Sequence, residues 1–209
     1  ISVFKQSESI VENRIQEKKP LADLTISTFT DEVSQDSPAP GGGSVSAQAG
    51  ALASALVAMV ANLSFGKKEY LKNNELILDI GTQAQFLKKD LLNLVDMDSN
   101  AFHKIMKAFR MPKKTENQIK SRDTEIIAAT KHAIDIPFKI MELSMKALTL
   151  SKKIMKIGNK NSISDAGVAS EMSFAAIRGA HMNVLINLKD LNDEGYKHKT
   201  LNKANKILT

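Results

Sequence analysis

Residues 38–44 read Pro38-Ala39-Pro40-Gly41-Gly42-Gly43-Ser44, and residues 45–63 behind them read VSAQAGALASALVAMVANL. This stretch decides the architecture. Two prolines stop any preceding helix, three glycines let the backbone approach a ligand with no side chain in the way, and Ser44 is a favoured N-cap for the helix behind it. The next segment takes most of its bulk from Leu52, Leu56, Met59, Val60 and Leu63; Ala47, Ala49, Gly50, Ala51, Ala53, Ala55, Ala58 and Ala61 leave room for neighbours. Such a composition predicts a buried central helix whose partners approach closely, with a helix start that suits an anion.

Working outward, the apolar pattern is helical nearly everywhere, and no segment sustains the two-residue alternation of a strand. The chain is therefore expected to be all-α, with helices at 6–17, 21–33, 44–65, 72–110, 117–157 with a break near Pro137, 163–188 and 193–207. Pro112 and the pair Gly158-Asn159 supply stops, and Ser162 or Ser164 caps the next helix. At 209 residues, with no repeat and no low-complexity linker, the expectation is one domain over 1–209. Ile1 at the start suggests a trimmed or processed chain, or a piece cut from a longer polypeptide.

Cysteine is absent, so neither disulfides nor thiolate metal sites enter the argument, and a cytoplasmic enzyme fits the composition. His103, His132, His181 and His198 show no metal-binding spacing, so no metal is expected. The net charge of +6 comes from dispersed lysines without interleaved aromatics, which argues against nucleic acid and for a solvated surface or the attraction of a small anionic substrate. Ser46, Gln48, Ser54 and Asn62 interrupt the one stretch long enough to span a bilayer, so a buried helix is preferred to a membrane span. The glycine run lacks the Lys-Ser/Thr ending of a nucleotide-binding loop.

The chemical clue lies in 72–110. Its apolar stripe runs Leu87, Leu91, Leu94, Val95, then Asp98, then Phe102, Ile105 and Phe109, so a carboxyl occupies a place where a hydrophobic residue is expected. Desolvation raises the pKa of such a group and makes a general acid or base of it; a buried structural carboxyl hydrogen-bonded to another helix, or a stripe that turns and exposes the acid, is the competing reading. Asp96 points to the other face with Leu92, Ser99 and His103, as an exposed group or a secondary partner. Asp165 sits in a first helical turn, where the helix dipole alone explains an acid. Asn183 and Asn187, one turn apart, could present amides to a heterocycle or join two packed helices.

An ordered set of motifs resembles the cyclodeaminase domain of formiminotransferase-cyclodeaminase, a family that includes methenyltetrahydrofolate cyclohydrolases. The set comprises Ala39-Pro40-Gly41-Gly42-Gly43-Ser44, Met59-Val60, Leu94-Val95-Asp96-Met97-Asp98 with Ala101-Phe102, Arg110-Met111-Pro112-Lys113, Gly158-Asn159 with Ser164-Asp165, and Gly179-Ala180 with Asn183-Val184-Leu185-Ile186-Asn187. The resemblance implies an ammonia lyase of one-carbon metabolism and histidine degradation that closes 5-formiminotetrahydrofolate to 5,10-methenyltetrahydrofolate, with Asp98 as the catalytic acid and no cofactor beyond the folate substrate. It also implies substrate contact at Gly41, Gly42, Gly43 and Ser44, with Asp96, Asp165, Asn183 and Asn187 as further candidates. Arg110, Lys113 and Lys114 are assigned to the glutamate tail, mono- or polyglutamylated, against a plain surface role. A homodimer or larger homo-oligomer and a fused or associated formiminotransferase domain are the expected partners, with no nucleic acid and no membrane. Two other functions stand beside this one: a cyclohydrolase on the same fold, and a non-catalytic helical interaction module.

Overall fold

A computed structural model describes residues 19–208; the helix expected at 6–17 lies outside them. The described residues form helices α1 (Ile26–Val33), α2 (Gly42–Ser64), α3 (Asn74–Phe109), α4 (Glu116–Ile157), α5 (Ile163–Lys189) and α6 (Glu194–Leu208), with 3-10 turns at Leu21–Asp23, Lys68–Asn73 and Lys160–Ser162. No strand occurs among them. The fold is all-α, as the periodicity predicts.

Helix α2 packs against α3, α4 and α5 together, and small residues make this possible. A β-carbon on Gly50 would stand 2.6 Å from the Ser144 hydroxyl of α4 and 3.2 Å from Leu91 of α3. One on Gly81 of α3 would stand 3.0 Å from the Ala61 methyl, and one on Gly179 of α5 would collide with Ser46. Around this axis Ile77, Ile80 and Leu91 of α3, Ile134, Ile140, Met141, Leu148 and Ile154 of α4, and Ile177 of α5 fill the core. Ala169, Ala176 and Ala180 of α5 are likewise buried within the one chain. Among the described residues α2 is the one helix long and apolar enough to cross a bilayer, and 61% of that stretch is buried inside the bundle. Val57 and Val60 face inward with the small residues, whereas Val45, Leu52, Met59 and Leu63 are exposed on the opposite side.

Several boundaries differ from the sequence pattern for identifiable reasons. Ser44 is not the N-cap; Gly41 is, and Ser44 lies inside the first turn, fully buried. Helix α4 runs unbroken through Pro137. Proline lacks the N–H that would bond the Ala133 carbonyl four residues back, and the Asn187 side-chain amide of α5 donates to that carbonyl at 2.7 Å instead. The expected helix 21–33 is split, because Leu21 and Ala22 are held by Asp96 and Thr25 starts α1 afresh by accepting the Thr28 amide. Thr115 and Gln118 begin α4 with a reciprocal capping box. Ser162 precedes α5 without a side-chain cap bond.

Candidate active site

The stripe of α3 runs buried through Leu87, Leu91, Leu94 and Val95 and reaches Asp98 at the N-terminal end of α2. Phe102 and Ile105 are half-buried beyond it; Phe109, expected on the same buried face, is 48% exposed with the Arg122 guanidinium over its ring. The stripe thus leaves the core one turn at a time, and Asp98 stands where it begins to do so.

Asp98 faces the first turn of α2. Its carboxyl is bonded by both the hydroxyl and the backbone amide of Ser44, so an acid from a neighbouring helix caps α2, whose own cap residue has no side chain. Helix N-termini leave N–H groups unsatisfied and favour negative charge, which explains the pairing. The approach requires the glycine: a β-carbon on Gly43 would overlap the Asp98 carboxyl. Gly42 is needed for a second reason, since its β-carbon would lie 3.1 Å from the Asn183 amide nitrogen.

Burial pushes the Asp98 carboxyl above the usual aspartate range, and the two Ser44 bonds partly offset this by favouring the charged form. The Ser44 hydroxyl lies 2.9 Å from the Val95 carbonyl and 3.1 Å from Asp98 Oδ2, but it has one proton to give. When Asp98 is ionised the hydroxyl can donate to it. When Asp98 is protonated the acid can donate to Ser44 Oγ, which then donates to Val95. Both protonation states are satisfied by a hydroxyl rotation.

Asp98 opens into a small chamber of about 100 Å³ lined by Pro38, Ala39, Gly41, Gly42, Gly43, Phe102, Ile105, Ala133, Asn183 and Asn187. Asp98 is the one ionisable side chain in that lining. The glycine run, Asp98, Asn183 and Asn187 are therefore brought together by α2, α3 and α5. Ala39 also borders a wider cleft of about 660 Å³ that includes Asp96, Met97, Asn100 and His103.

The remaining candidates stand elsewhere. Asp96 accepts the Leu21 amide at 2.6 Å and the Ala22 amide at 3.2 Å, so its carboxyl anchors the segment before α1. Asp165 opens α5 beside the corner where Asn159 is bonded to Ser64, at the C-terminal end of α2; Asp98 is at the other end, roughly 30 Å away along that helix. Arg110 and Lys113 are exposed past the end of α3 and line neither cavity. Basic groups that the sequence pattern does not single out, Lys104 and Lys107, border a depression of about 550 Å³ between α3 and α4 with Ala108, Ala129 and His132. Helical spacing places them roughly half a turn and one and a half turns past Phe102. Among the described residues no three His, Asp or Glu side chains gather as a metal site would require.

Known proteins resemble this chain along most of its length. Residues 25–206 match the family model described as formiminotransferase-cyclodeaminase. A methenyltetrahydrofolate cyclohydrolase of Methylorubrum extorquens is 34% identical over 88% of each chain. The formimidoyltransferase-cyclodeaminase of Rattus norvegicus is 30% identical over 100% of this chain, which spans only 39% of that protein's length. The solved formiminotetrahydrofolate cyclodeaminase of Thermotoga maritima superposes with a TM-score of 0.80 at 31% identity, over 88% of both chains.

Proposed function

The chain belongs to the formiminotransferase-cyclodeaminase family, and from that membership we propose that it is a formimidoyltetrahydrofolate cyclodeaminase with Asp98 as its proton-transfer group. The observation that carries the proposal is Asp98 itself, a desolvated carboxyl with no competing ionisable neighbour in a chamber made by the glycine run. A general acid–base residue needs a pKa drawn toward neutrality, and burial moves an aspartate that way.

The chemistry assigned to the chamber is a ring closure. In protonated 5-formiminotetrahydrofolate, N10 attacks the formimino carbon and the C–N10 bond forms. Asp98 takes the proton from N10 and returns it to the former formimino nitrogen. The bond from carbon to that nitrogen then breaks, ammonia departs, and 5,10-methenyltetrahydrofolate keeps the positive charge. Positioned proton transfer of this kind contributes about 10²–10⁴-fold, and holding N5 and N10 face to face removes the entropy cost of a two-body encounter. The Ser44 hydroxyl, satisfied by either state of Asp98, suits a group that must gain and lose the same proton in one turnover. Lys104 and Lys107 offer cations to the carboxylates of the glutamate tail.

The similarity to the Methylorubrum cyclohydrolase favours a second reading, in which the same chamber adds or expels water between methenyl- and formyltetrahydrofolate. Ammonia distinguishes the two. Incubation with 5-formiminotetrahydrofolate should release ammonia in step with methenyl absorbance; hydrolysis of methenyltetrahydrofolate with no ammonia from the formimino compound would establish the cyclohydrolase instead.

A further inference from the structure

The two asparagines of the chamber are not free to present either end of their amides. Asn183 Nδ2 donates to the Gly179 carbonyl at 2.9 Å, and Asn187 Nδ2 donates to the Ala133 carbonyl at 2.7 Å. A carbonyl oxygen only accepts, so each NH2 must turn to the backbone and each amide oxygen must turn away from it. For Asn187 the constraint originates in another helix: Pro137 deprives Ala133 of its helical donor, and the Asn187 amide takes that donor's place. Neither Asn183 Oδ1 nor Asn187 Oδ1 takes a hydrogen bond from a described protein group, and neither is sealed away as an unpartnered buried atom. Both residues line the chamber of Asp98.

We propose that Asn183 Oδ1, Asn187 Oδ1 and the Asp98 carboxylate form an acceptor cage for nitrogen-borne protons, which binds the departing amine and makes ammonia, rather than water, the favoured leaving group. The inference rests on the cyclodeaminase reading and adds to it the groups that determine the leaving group. Once the proton from N10 has reached it, the departing nitrogen is an ammonium on a tetrahedral carbon, with three N–H donors and a positive charge. Three acceptor groups in the lining match three donors, and the lining contains no cation to oppose the charge. A departing water has two O–H donors and leaves one of the three acceptors unpaired once bound substrate covers the chamber, a loss that polar sites penalise heavily. Acceptors aimed at charge that develops during reaction stabilise the transition state without reorganising, as donors do at an oxyanion.

The test compares Asn183→Ala and Asn187→Ala with the parent chain, measuring kcat for ammonia release from 5-formiminotetrahydrofolate and, separately, the Kd for 5,10-methenyltetrahydrofolate. The cage predicts that ammonia release falls by about 10–10³-fold in each variant, with methenyl affinity within about three-fold of the parent because that product has lost the amine. Unchanged ammonia release, or a loss of methenyl affinity as large as the loss of kcat, overturns the cage and makes the asparagines simple folate contacts; the cyclodeaminase reading survives either result. A parent chain that binds methenyltetrahydrofolate but releases no ammonia sinks the cyclodeaminase reading, and the cage with it. Asn187→Ala also orphans the Ala133 carbonyl; should it fail to fold by circular dichroism, Asn183→Ala decides alone, since the bond it removes lies within one helix turn.

Discussion

Gly43 and Asp98 occupy space that would otherwise be shared: the carboxyl of α3 lies where a side chain on the second residue of α2 would begin. A glycine here therefore serves the acid before it serves any ligand. Gly43→Ala should displace the Asp98 carboxyl and lower turnover by about 10²-fold or more, the scale of a lost general acid–base group. Gly42→Val, which presses on Asn183 instead, should weaken folate binding more than it lowers global stability. Steady-state kinetics, folate titration and thermal unfolding of the two variants check both outcomes, and parental kinetics in Gly43→Ala would show that Asp98 is not used where it stands.

Asp98→Asn keeps the shape of the side chain and removes the exchangeable proton. Ammonia release should fall by about 10²–10⁴-fold while folate affinity changes little. The stability effect has a defined sign. The folded-state pKa of Asp98 lies above its unfolded value, so the protonated acid favours the fold and stability is lost as pH rises through the folded pKa. The variant should therefore gain stability relative to the parent at neutral pH. That gain should shrink on acidification toward the unfolded value of an aspartate, as denaturant titrations at several pH values would reveal.

Ser44→Ala removes the rotating hydroxyl but keeps the backbone amide. Since the hydroxyl favours the charged carboxyl, its loss should move the acidic limb of the pH–rate profile to higher pH. Ser44→Thr, which restores a hydroxyl, should return the limb toward its parental position if its extra methyl is accommodated. A profile unmoved in Ser44→Ala would mean that the hydroxyl belongs to Val95 alone.

The outward stripe Val45, Leu52, Met59 and Leu63 on α2 is apolar and exposed, and contiguous exposed apolar surface marks a contact site. The expected occupant is a second copy of the chain, as the homo-oligomer reading proposes. Light scattering should report a dimer or larger species, and Leu52→Glu should shift it toward monomer. A parent chain that is monomeric at working concentration would contradict the assembly.

Sequence alone determined the all-α class, the close-packed α2, the anomalous acid at Asp98 and the spacing of Asn183 and Asn187, because each is written in local periodicity and residue size. Only the tertiary structure decided which distant groups meet. It put Asp96 on the amides of Leu21 and Ala22, left Asp165 at the far end of α2, brought Phe109 out to Arg122, and turned Val45, Leu52, Met59 and Leu63 of α2 outward. A helical period assigns a residue to a face but says nothing of which neighbour covers that face. The direction of Asn187 shows the limit most clearly: it depends on a proline 50 positions earlier, whose effect appears only when α4 and α5 pack and an unpaired carbonyl must find a donor.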